Sequence, residues 1–176
     1  VGSEMCIRDR VLATDFEISN QFLGVEENDV EWNAVDCLYF GLPETELPSK
    51  TPILHLDGSA EGPINNLTFI STLCECSPDG MALASASVIG RQDLAIDELV
   101  ESARKQLVSW FGESSKSWKN IRNYRITRAV PSCSGPIDLE TKINGIYRCG
   151  DYLGLPSIDS AMRSGRKVAE LLIKSI

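Results

Sequence analysis

Hydrophobic and polar residues alternate along the middle of the chain, and this period of two is typical of half-buried β-strands. The pattern predicts strands over 35–40, 53–56, 67–73, 81–88 and 118–126. The proline-rich stretch 42–52 is predicted to be a loop. Ser77-Pro-Asp-Gly80 is a strong turn signal, so the strands on its two sides are expected to pair antiparallel. The middle of the chain therefore predicts a mostly antiparallel sheet.

Residues 93–111 carry the period of 3.6 that predicts an amphipathic helix. Asp93 is expected to cap its first turn, and Gly112 is expected to end it in the left-handed conformation. The apolar stripe that would face the sheet consists of Ile96, Leu99, Val100, Ala103, Leu107, Val108 and Phe111.

A second helix is predicted at the end of the chain, beginning near Pro156 or Ser157. The stripe predicted to face inward consists of Ile158, Ala161, Met162, Gly165, Val168, Ala169, Leu172 and Ile173. Ser164 falls on the opposite, polar face. Because glycine costs about 1 kcal/mol relative to alanine inside a helix, Gly165 predicts the close approach of a neighbouring strand or ligand.

A short strand, Ile146 to Cys149, precedes this helix, and Gly150, Asp151 and a turn-rich loop join the two. The first turn of a helix has free N–H groups and the positive end of the helix dipole. This arrangement predicts a site for a polar, partly anionic ligand. Farther back, the run VLATD from Val11 to Asp15 predicts the end of another buried strand.

The first ten residues, VGSEMCIRDR, are interpreted as an appended segment and excluded from the fold. Their back-translation resembles the tail of a transposon adapter used to build sequencing libraries. Natural sequence would then begin at Val11 in a gene cut upstream, which leaves targeting segments open. The alternative is a genuine N-terminal arm.

The composition of the chain is that of an ordinary globular protein: 176 residues, 43% of them hydrophobic and 24% charged. A net charge of −8 without a basic run argues against nucleic acid and anionic membrane surfaces as partners. No apolar run is long enough to span a bilayer. Of the six cysteines, only Cys74 and Cys76 lie close together, and no Cys-x-x-Cys pair occurs. Buried free thiols in a reducing, intracellular compartment are therefore favoured over a metal site.

The inventory of catalytic side chains is small. His55 is the only histidine, so a two-histidine metal site is excluded, and we interpret His55 as a residue of the sheet. The chain has no Gly-x-Ser-x-Gly elbow and no Gly-x-x-x-x-Gly-Lys loop. An oxidoreductase needs few catalytic side chains when a bound cofactor carries the chemistry, and this inventory fits that class.

The block GIYRCGDYLGLPSIDSAMRSG, residues 145–165, closely resembles the C-terminal FAD-binding segment of the flavin amine oxidase, phytoene desaturase and protoporphyrinogen oxidase superfamily. The resemblance implies that FAD is bound by Gly150, Asp151, Pro156, Ser157, Ile158 and Ala161. Asp151 would hydrogen-bond the sugar-alcohol chain or pyrophosphate of FAD, while Gly150 would let the backbone pass close. An N–H group at Ser157 or Ile158 would meet flavin O2 and stabilise the negative charge of reduced flavin.

The same resemblance implies an α/β fold with α+β character: a mostly antiparallel substrate-domain sheet, plus the last strand and helix of a Rossmann-like FAD-binding domain. Residues 11–34 would end a flavin-domain strand and form a connection, 35–131 would form the substrate-domain sheet, and 132–176 the FAD-binding strand, loop and helix. The Gly-x-Gly-x-x-Gly loop of this superfamily does not occur in the sequence. The chain is therefore expected to be a C-terminal fragment, inactive and weak in FAD binding by itself.

The implied activity is hydride transfer from an unidentified small-molecule substrate, polar or apolar, to flavin N5. No lysine matches the one that amine oxidases place near N5, so desaturase-like or protoporphyrinogen-oxidase-like chemistry is favoured over amine oxidation. Catalytic residues stay unassigned. The alternative function is a non-catalytic domain that binds a partner through its amphipathic C-terminal helix. A nicotinamide enzyme is disfavoured because no dinucleotide fingerprint occurs. A cytoplasmic or plastid location is favoured over secretion, and the oligomeric state is open.

Overall fold

The computed structural model describes residues 10–26, 31–90, 93–132 and 141–174. The chain divides into two compact units, one formed by 1–32 with 130–176 and the other by 33–129. The strands and helices are β1 (Arg10–Leu12), α1 (Phe16–Leu23), β2 (Trp32–Pro43), β3 (Leu54–Leu56), β4 (Ile64–Phe69), β5 (Met81–Ile89), α2 (Ile96–Phe111), β6 (Lys119–Pro131), β7 (Lys142–Ile143), β8 (Ile146–Arg148) and α3 (Ile158–Lys174). The predicted appended segment lies outside the described residues except for Arg10, which begins β1.

The unit formed by 33–129 is built on a five-stranded sheet in the order β3-β4-β5-β2-β6. The pairs β3–β4, β4–β5 and β5–β2 are antiparallel. The predicted pairing across Ser77–Gly80 is confirmed, with Leu67 opposite Ala86 and Phe69 opposite Ala84. Together with the helices, these antiparallel strands confirm the predicted α/β fold class.

One face of this sheet packs against α2, because alternate residues of β2, β4 and β5 point toward the helix. Alanines on β5 leave room for the helix to approach. The core consists of Leu38, Phe40, Leu42, Ile64, Leu67, Phe69, Ala82, Ala84, Ala86 and Val88 from the sheet, Leu99, Val100, Ala103 and Leu107 from α2, and Trp118. Leu67 and Phe69 therefore pack against a helix.

The ends of α2 differ from the prediction. The helix begins at Ile96, and the preceding residue, Ala95, makes no side-chain capping bond. Asp93 lies too early in the chain to reach the first free amides, so the predicted cap is wrong. Gly112 does end the helix with a positive φ of 83°, but its ψ of −177° is not left-handed helical.

Two strand boundaries also differ. The predicted strand 67–73 begins earlier, at Ile64, and ends at Phe69, where a 3₁₀ turn over Ile70–Thr72 takes over. The Thr72 hydroxyl stabilises this turn by donating to the Phe69 carbonyl oxygen at 2.7 Å. The strand predicted over 118–126 continues to Pro131. Boundaries of this kind depend on local side-chain hydrogen bonds that periodicity does not register.

The other unit contains a three-stranded sheet in the order β1-β8-β7. β1 pairs parallel with β8, and β8 pairs antiparallel with β7. Asn144 and Gly145, which join β7 to β8, both have positive φ values of 51° and 80°. Asn-Gly is the pair that tolerates two such residues in a tight hairpin, so the sequence fixes this turn locally.

Helix α1 lies where the sequence pattern predicted only a connection. The signals were present: Asp15 caps the helix by accepting a hydrogen bond from the Ile18 amide at 2.9 Å. Gly24 ends it in the left-handed conformation. The buried residues are Phe16, Ser19, Asn20 and Leu23, spaced as one helical face. Two polar residues among the four hide that face from a hydrophobicity pattern.

The packed face of α3 is only partly the predicted one: Val168 is buried as predicted, but other residues of the predicted stripe are exposed. Ile158, Met162 and Ile173, predicted to face inward, are 83%, 71% and 71% exposed. Ser164, predicted on the outer face, is buried beside Val168. The prediction assumed that the most apolar stripe packs. Ser164 is instead buried because its hydroxyl is hydrogen-bonded on the inner side, which offsets its desolvation.

Gly165 also differs from expectation. A Cβ atom built on it would meet no atom of the described residues within 4 Å. The predicted close approach of a neighbouring strand is therefore wrong.

Candidate functional site

The carboxyl ends of two parallel strands lie side by side in the unit that contains α3. Leu12 at the end of β1 is paired with Arg148 at the end of β8. The Cys149 amide donates to the Leu12 carbonyl oxygen at 2.9 Å, so the ladder continues to the edge of the sheet. In open α/β sheets, ligands bind just outside such carboxyl ends.

Gly150 follows β8 and is tied to α3 by one side chain. The Gly150 amide donates to the Ser164 hydroxyl oxygen at 2.9 Å. The same hydroxyl lies 2.9 Å from the Gly150 carbonyl oxygen and 2.8 Å from that of Ala161, so it can donate to either. These hydrogen bonds hold the loop at Gly150 in a fixed position against α3.

Gly150 is required by its own neighbourhood. A Cβ atom at this position would lie 2.2 Å from Cε1 of Tyr152, whose ring is almost fully buried. Its φ of 172° is extended backbone that any residue adopts, so the constraint is steric. The expectation that Gly150 serves close passage of a ligand stays a prediction, because the nearest group in the structure is Tyr152.

Ser157 caps α3 at the position immediately before its first residue. Its hydroxyl oxygen accepts from the Ser160 amide at 3.1 Å, and its carbonyl oxygen accepts from the Ala161 amide at 3.1 Å. The amides of Ile158 and Asp159 donate to no atom of the described residues. Two N–H groups at the positive end of a 17-residue helix are therefore free for a ligand.

Asp151 lies half-buried in the loop between β8 and α3. Its carboxylate makes no hydrogen bond or ion pair with any residue that the structure describes. Its carbonyl oxygen accepts from the Gly154 amide at 3.2 Å, which closes a 3₁₀ turn over Asp151–Leu153. A half-buried carboxylate without a protein partner is available to accept hydrogen bonds from a ligand hydroxyl.

The remaining predicted site residues lie on the same loop and helix. Pro156 and Ala161 are half-buried, and Ile158 is exposed. Asp159 forms an exposed ion pair with Arg163, 2.7 Å apart and one helical turn on. That pair draws the Asp159 carboxylate along the helix surface and supports its interpretation as a complement to the helix dipole.

Three residues that hold the site together were not singled out from the sequence. Ser164 braces the loop, Tyr152 fills the space above Gly150, and Arg148 is fully buried with its guanidinium donating to Asn20 at 3.0 Å. Burial raises the pKa of the Tyr152 phenol, which keeps it neutral. The burial of an arginine at a strand end cannot be predicted from hydrophobic periodicity in the sequence.

The five-stranded sheet has a second face, opposite α2, on which several polar residues lie in a row. Thr68 of β4, Ser85 of β5 and Tyr39 of β2 lie opposite one another in register and are half-buried. The Tyr39 ring meets that of Tyr124 on β6 edge-on, with centroids 6.0 Å apart. Together with Tyr124, this row crosses four strands, and it offers hydroxyl groups to a ligand.

No family model matches the sequence, and no curated protein matches it significantly. Solved structures do share its fold. A protein assigned as a protoporphyrinogen oxidase from Exiguobacterium sp. 255-15 matches 94% of the chain with a TM-score of 0.64 and 12% identity. An oxidoreductase from Methanosarcina mazei matches 89% with a TM-score of 0.60 and 13% identity. A putrescine oxidase matches 81% with a TM-score of 0.51 and 12% identity. At these identities the likeness concerns the fold.

The chain spans 41%, 38% and 35% of the lengths of these three structures. Across its described ranges, no helix combines the length and hydrophobicity needed to cross a membrane. Within the same ranges, no group of three or more His, Cys, Asp or Glu side chains is placed to hold a metal ion.

Proposed function

We propose that this chain is part of an FAD-dependent oxidoreductase and that the edge formed by β1, β8 and the start of α3 holds the flavin. The observation that carries this proposal is the half-buried Asp151 carboxylate, which has no partner among the described residues and sits beside the ends of two parallel strands. The two free amides at the start of α3 add to it. The fold shared with oxidoreductases supports it as well.

The residues at this edge fit such a ligand chemically. The Asp151 carboxylate would accept hydrogen bonds from ligand hydroxyl groups. The amides of Ile158 and Asp159 would donate to a carbonyl oxygen that gains negative charge, and the helix dipole would stabilise that charge. Pro156, Ser157 and Ala161 would shape the loop around it. When bound, FAD would supply a hydride acceptor, which no side chain of this protein provides.

We propose that the substrate meets the second face of the five-stranded sheet, at the row formed by Thr68, Ser85 and Tyr39. Hydroxyl groups in this row favour a substrate with at least one polar group. A desaturase-like or protoporphyrinogen-oxidase-like reaction remains our preferred class within this proposal, with amine oxidation second.

The test is flavin occupancy of the protein expressed from the uninterrupted gene, measured by absorbance of released flavin. Asp151→Ala should weaken FAD binding roughly 10- to 100-fold, since a hydrogen bond to a charged group contributes about 1.5–3 kcal/mol. Asp97→Ala is the matched control, because Asp97 is exposed on α2 in the other unit. Normal occupancy in Asp151→Ala would sink the assignment of Asp151. A wild-type protein without any flavin affinity would sink the proposed function.

One observation favours a second function, partner binding through α3. Met162 and Ile173 expose an apolar stripe on this helix. Such a stripe can serve a protein–protein contact. Met162→Glu would then abolish association of the chain in sedimentation while leaving flavin occupancy intact. If the variant and the wild type sediment alike, self-association through α3 is excluded.

A further inference from the structure

The segment that follows β4 carries two thiols, Cys74 and Cys76, separated by one residue. Both are exposed, so the predicted burial of the free cysteines is wrong for this pair. The Cys74 amide donates to the Ile70 carbonyl oxygen at 3.2 Å, which holds the start of the segment in a bend. The Cys74 thiol also donates to that carbonyl oxygen, at 3.8 Å. Residues two apart in a chain lie at most about 7 Å apart, close to the Cα separation that a disulfide allows.

Two hydroxyl groups surround the sulfur of Cys76. The Ser71 oxygen lies 3.8 Å from it and the Ser77 oxygen 3.9 Å, while the two hydroxyls lie 2.7 Å apart. The Leu83 amide donates to the Ser71 oxygen at 2.8 Å. Because that bond occupies an acceptor site on Ser71, the Ser71 proton is directed toward Ser77 or Cys76. Two hydroxyl groups, each able to donate, therefore lie next to one sulfur.

We propose that Cys74 and Cys76 form a thiol–disulfide exchange site that takes small aliphatic disulfides as substrates. This site lies in the unit formed by 33–129 and is independent of the proposed flavin site. Cys76 is the attacking thiol and Cys74 the resolving thiol.

The two cysteines are suited to different roles. The Cys74 thiol donates to a carbonyl oxygen and is therefore the protonated partner, and interaction with Cys76, followed by burial, raises its pKa. Cys76 is the sulfur that lies beside the serine hydroxyls. A thiolate attacker next to a protonated resolving thiol is the order that exchange chemistry needs.

The reaction balances without a further oxidant. The Cys76 thiolate attacks one sulfur of the substrate disulfide, forms a mixed disulfide and releases one substrate thiolate, which takes up a proton. Cys74 then loses its proton to water and attacks the Cys76 sulfur, which releases the second substrate thiol. The two cysteines are oxidised to one disulfide, and the substrate disulfide is reduced to two thiols.

The surroundings also favour one charge on the substrate. The segment borders a cavity of about 500 Å³ that Glu44, Glu75 and Asp79 line together with the thiols. These carboxylates repel anionic disulfides and attract cationic ones. Cystamine, a small dicationic disulfide, should therefore react faster than glutathione disulfide, which is anionic.

The product should be easily reduced. A disulfide across one intervening residue closes a very short ring, and strained disulfides have high, oxidising potentials. The pair is therefore expected to cycle between dithiol and disulfide and to transfer oxidation onward. A purely structural bond would not behave in this way.

The test exposes the folded 176-residue chain to cystamine, followed by acid quenching, alkylation and peptide mapping by mass spectrometry. The expected result is a peptide with Cys74 linked to Cys76, lighter by two hydrogens than the reduced form. Cys74→Ser should instead trap one cystamine half on Cys76. Half-buried Cys37 and Cys149 provide internal controls and should remain alkylated. The absence of a Cys74–Cys76 linkage, or equal modification of Cys37, Cys74, Cys76 and Cys149, would overturn the proposal.

Two further variants test the roles. In Cys76→Ser, Cys74 should react more slowly than Cys76 does in Cys74→Ser; the reverse order would refute the assignment of the attacker. Ser77→Ala should lower the fraction of Cys76 that is present as thiolate. For each tenfold decrease in that fraction, the intrinsic reactivity of the thiolate rises about threefold, so the first step should slow about threefold. An unchanged rate in Ser77→Ala would show that the hydroxyls do not assist.

Discussion

The hydroxyl oxygen of Ser164 lies 2.9 Å from both the amide nitrogen and the carbonyl oxygen of Gly150. A residue in the second turn of α3 thereby holds Gly150, just after β8. The strand end and the helix start are consequently fixed relative to one another by a single buried side chain. Any ligand bound at this edge depends on that brace.

Ser164→Ala should destabilise the protein by about 1–3 kcal/mol, because it removes a buried partner of the Gly150 amide. The denaturant midpoint in urea measures this change. Ser109→Ala, at an exposed position of α2, is the matched control and should stay within about 0.5 kcal/mol of wild type. Equal midpoints for the two variants would show that the Ser164 bonds contribute no stability.

Two glycines should respond to alanine in opposite directions. Gly150→Ala should destabilise by about 1–3 kcal/mol, since its Cβ would overlap the buried ring of Tyr152. Gly165→Ala should stabilise by up to about 1 kcal/mol, because open space surrounds that position inside a helix. Thermal melting of both variants checks the pair. A loss of stability in Gly165→Ala would reveal a close neighbour at that position.

Gln106 on α2 joins the helix to the first residue of β4. Its Oε1 accepts from the Ile64 amide at 2.7 Å, and its Nε2 donates to the Ile64 carbonyl oxygen at 3.0 Å. Gln106→Met keeps the shape but leaves both buried groups without a partner, so a loss of about 2 kcal/mol or more is expected. Urea unfolding measures it, with Lys105→Met on the exposed side as control. A loss no larger than the control's would contradict this role.

His55 should make stability depend on pH. Its ring contacts Phe69 and Phe111 edge-on, and burial lowers its pKa below the ordinary value of 6.5. The unfolded chain therefore binds the proton more tightly than the folded chain does. The free energy of unfolding should keep its full value above pH 6.5 and should decrease as the pH falls below 6.5.

Urea unfolding at about pH 7.5 and about pH 5.5 measures this difference. His55→Phe should flatten it, because His55 is the only histidine of the chain. The pKa of Asp57, lowered by hydrogen bonds from Ser59, belongs to a more acidic range and should not interfere. A pH dependence that persists in His55→Phe would assign it to another group.

Periodicity in the sequence was sufficient for the sheet and α2. Strand β5 alternates so regularly that every second residue is buried, from Ala82 to Val88. Because the turn at Ser77–Gly80 is short, it predicts that β4 and β5 pair antiparallel. Helix α1 could also have been predicted, from the cap at Asp15 and the stop at Gly24, but its buried Ser19 and Asn20 conceal the apolar face.

The candidate site was predictable in part. A strand followed by Gly150, Asp151 and a helix start is a local pattern, and the structure places these residues together at one edge. Ser164 could not be found in this way, because its burial depends on the Gly150 backbone fourteen residues away. The pairing of β1 with β8 joins residues more than a hundred positions apart, and no local pattern encodes it.

The sequence alone determined the elements whose signals are local: alternating strands, the amphipathic helix α2 and the Asn144-Gly145 turn. Only the tertiary structure decided which face of α3 is buried and which strands pair in parallel. The physical reason is that a hydrophobic pattern measures the free energy available from burial, whereas the face that packs also depends on hydrogen-bonding partners from distant segments. Ser164 is buried and Met162 is exposed for that reason.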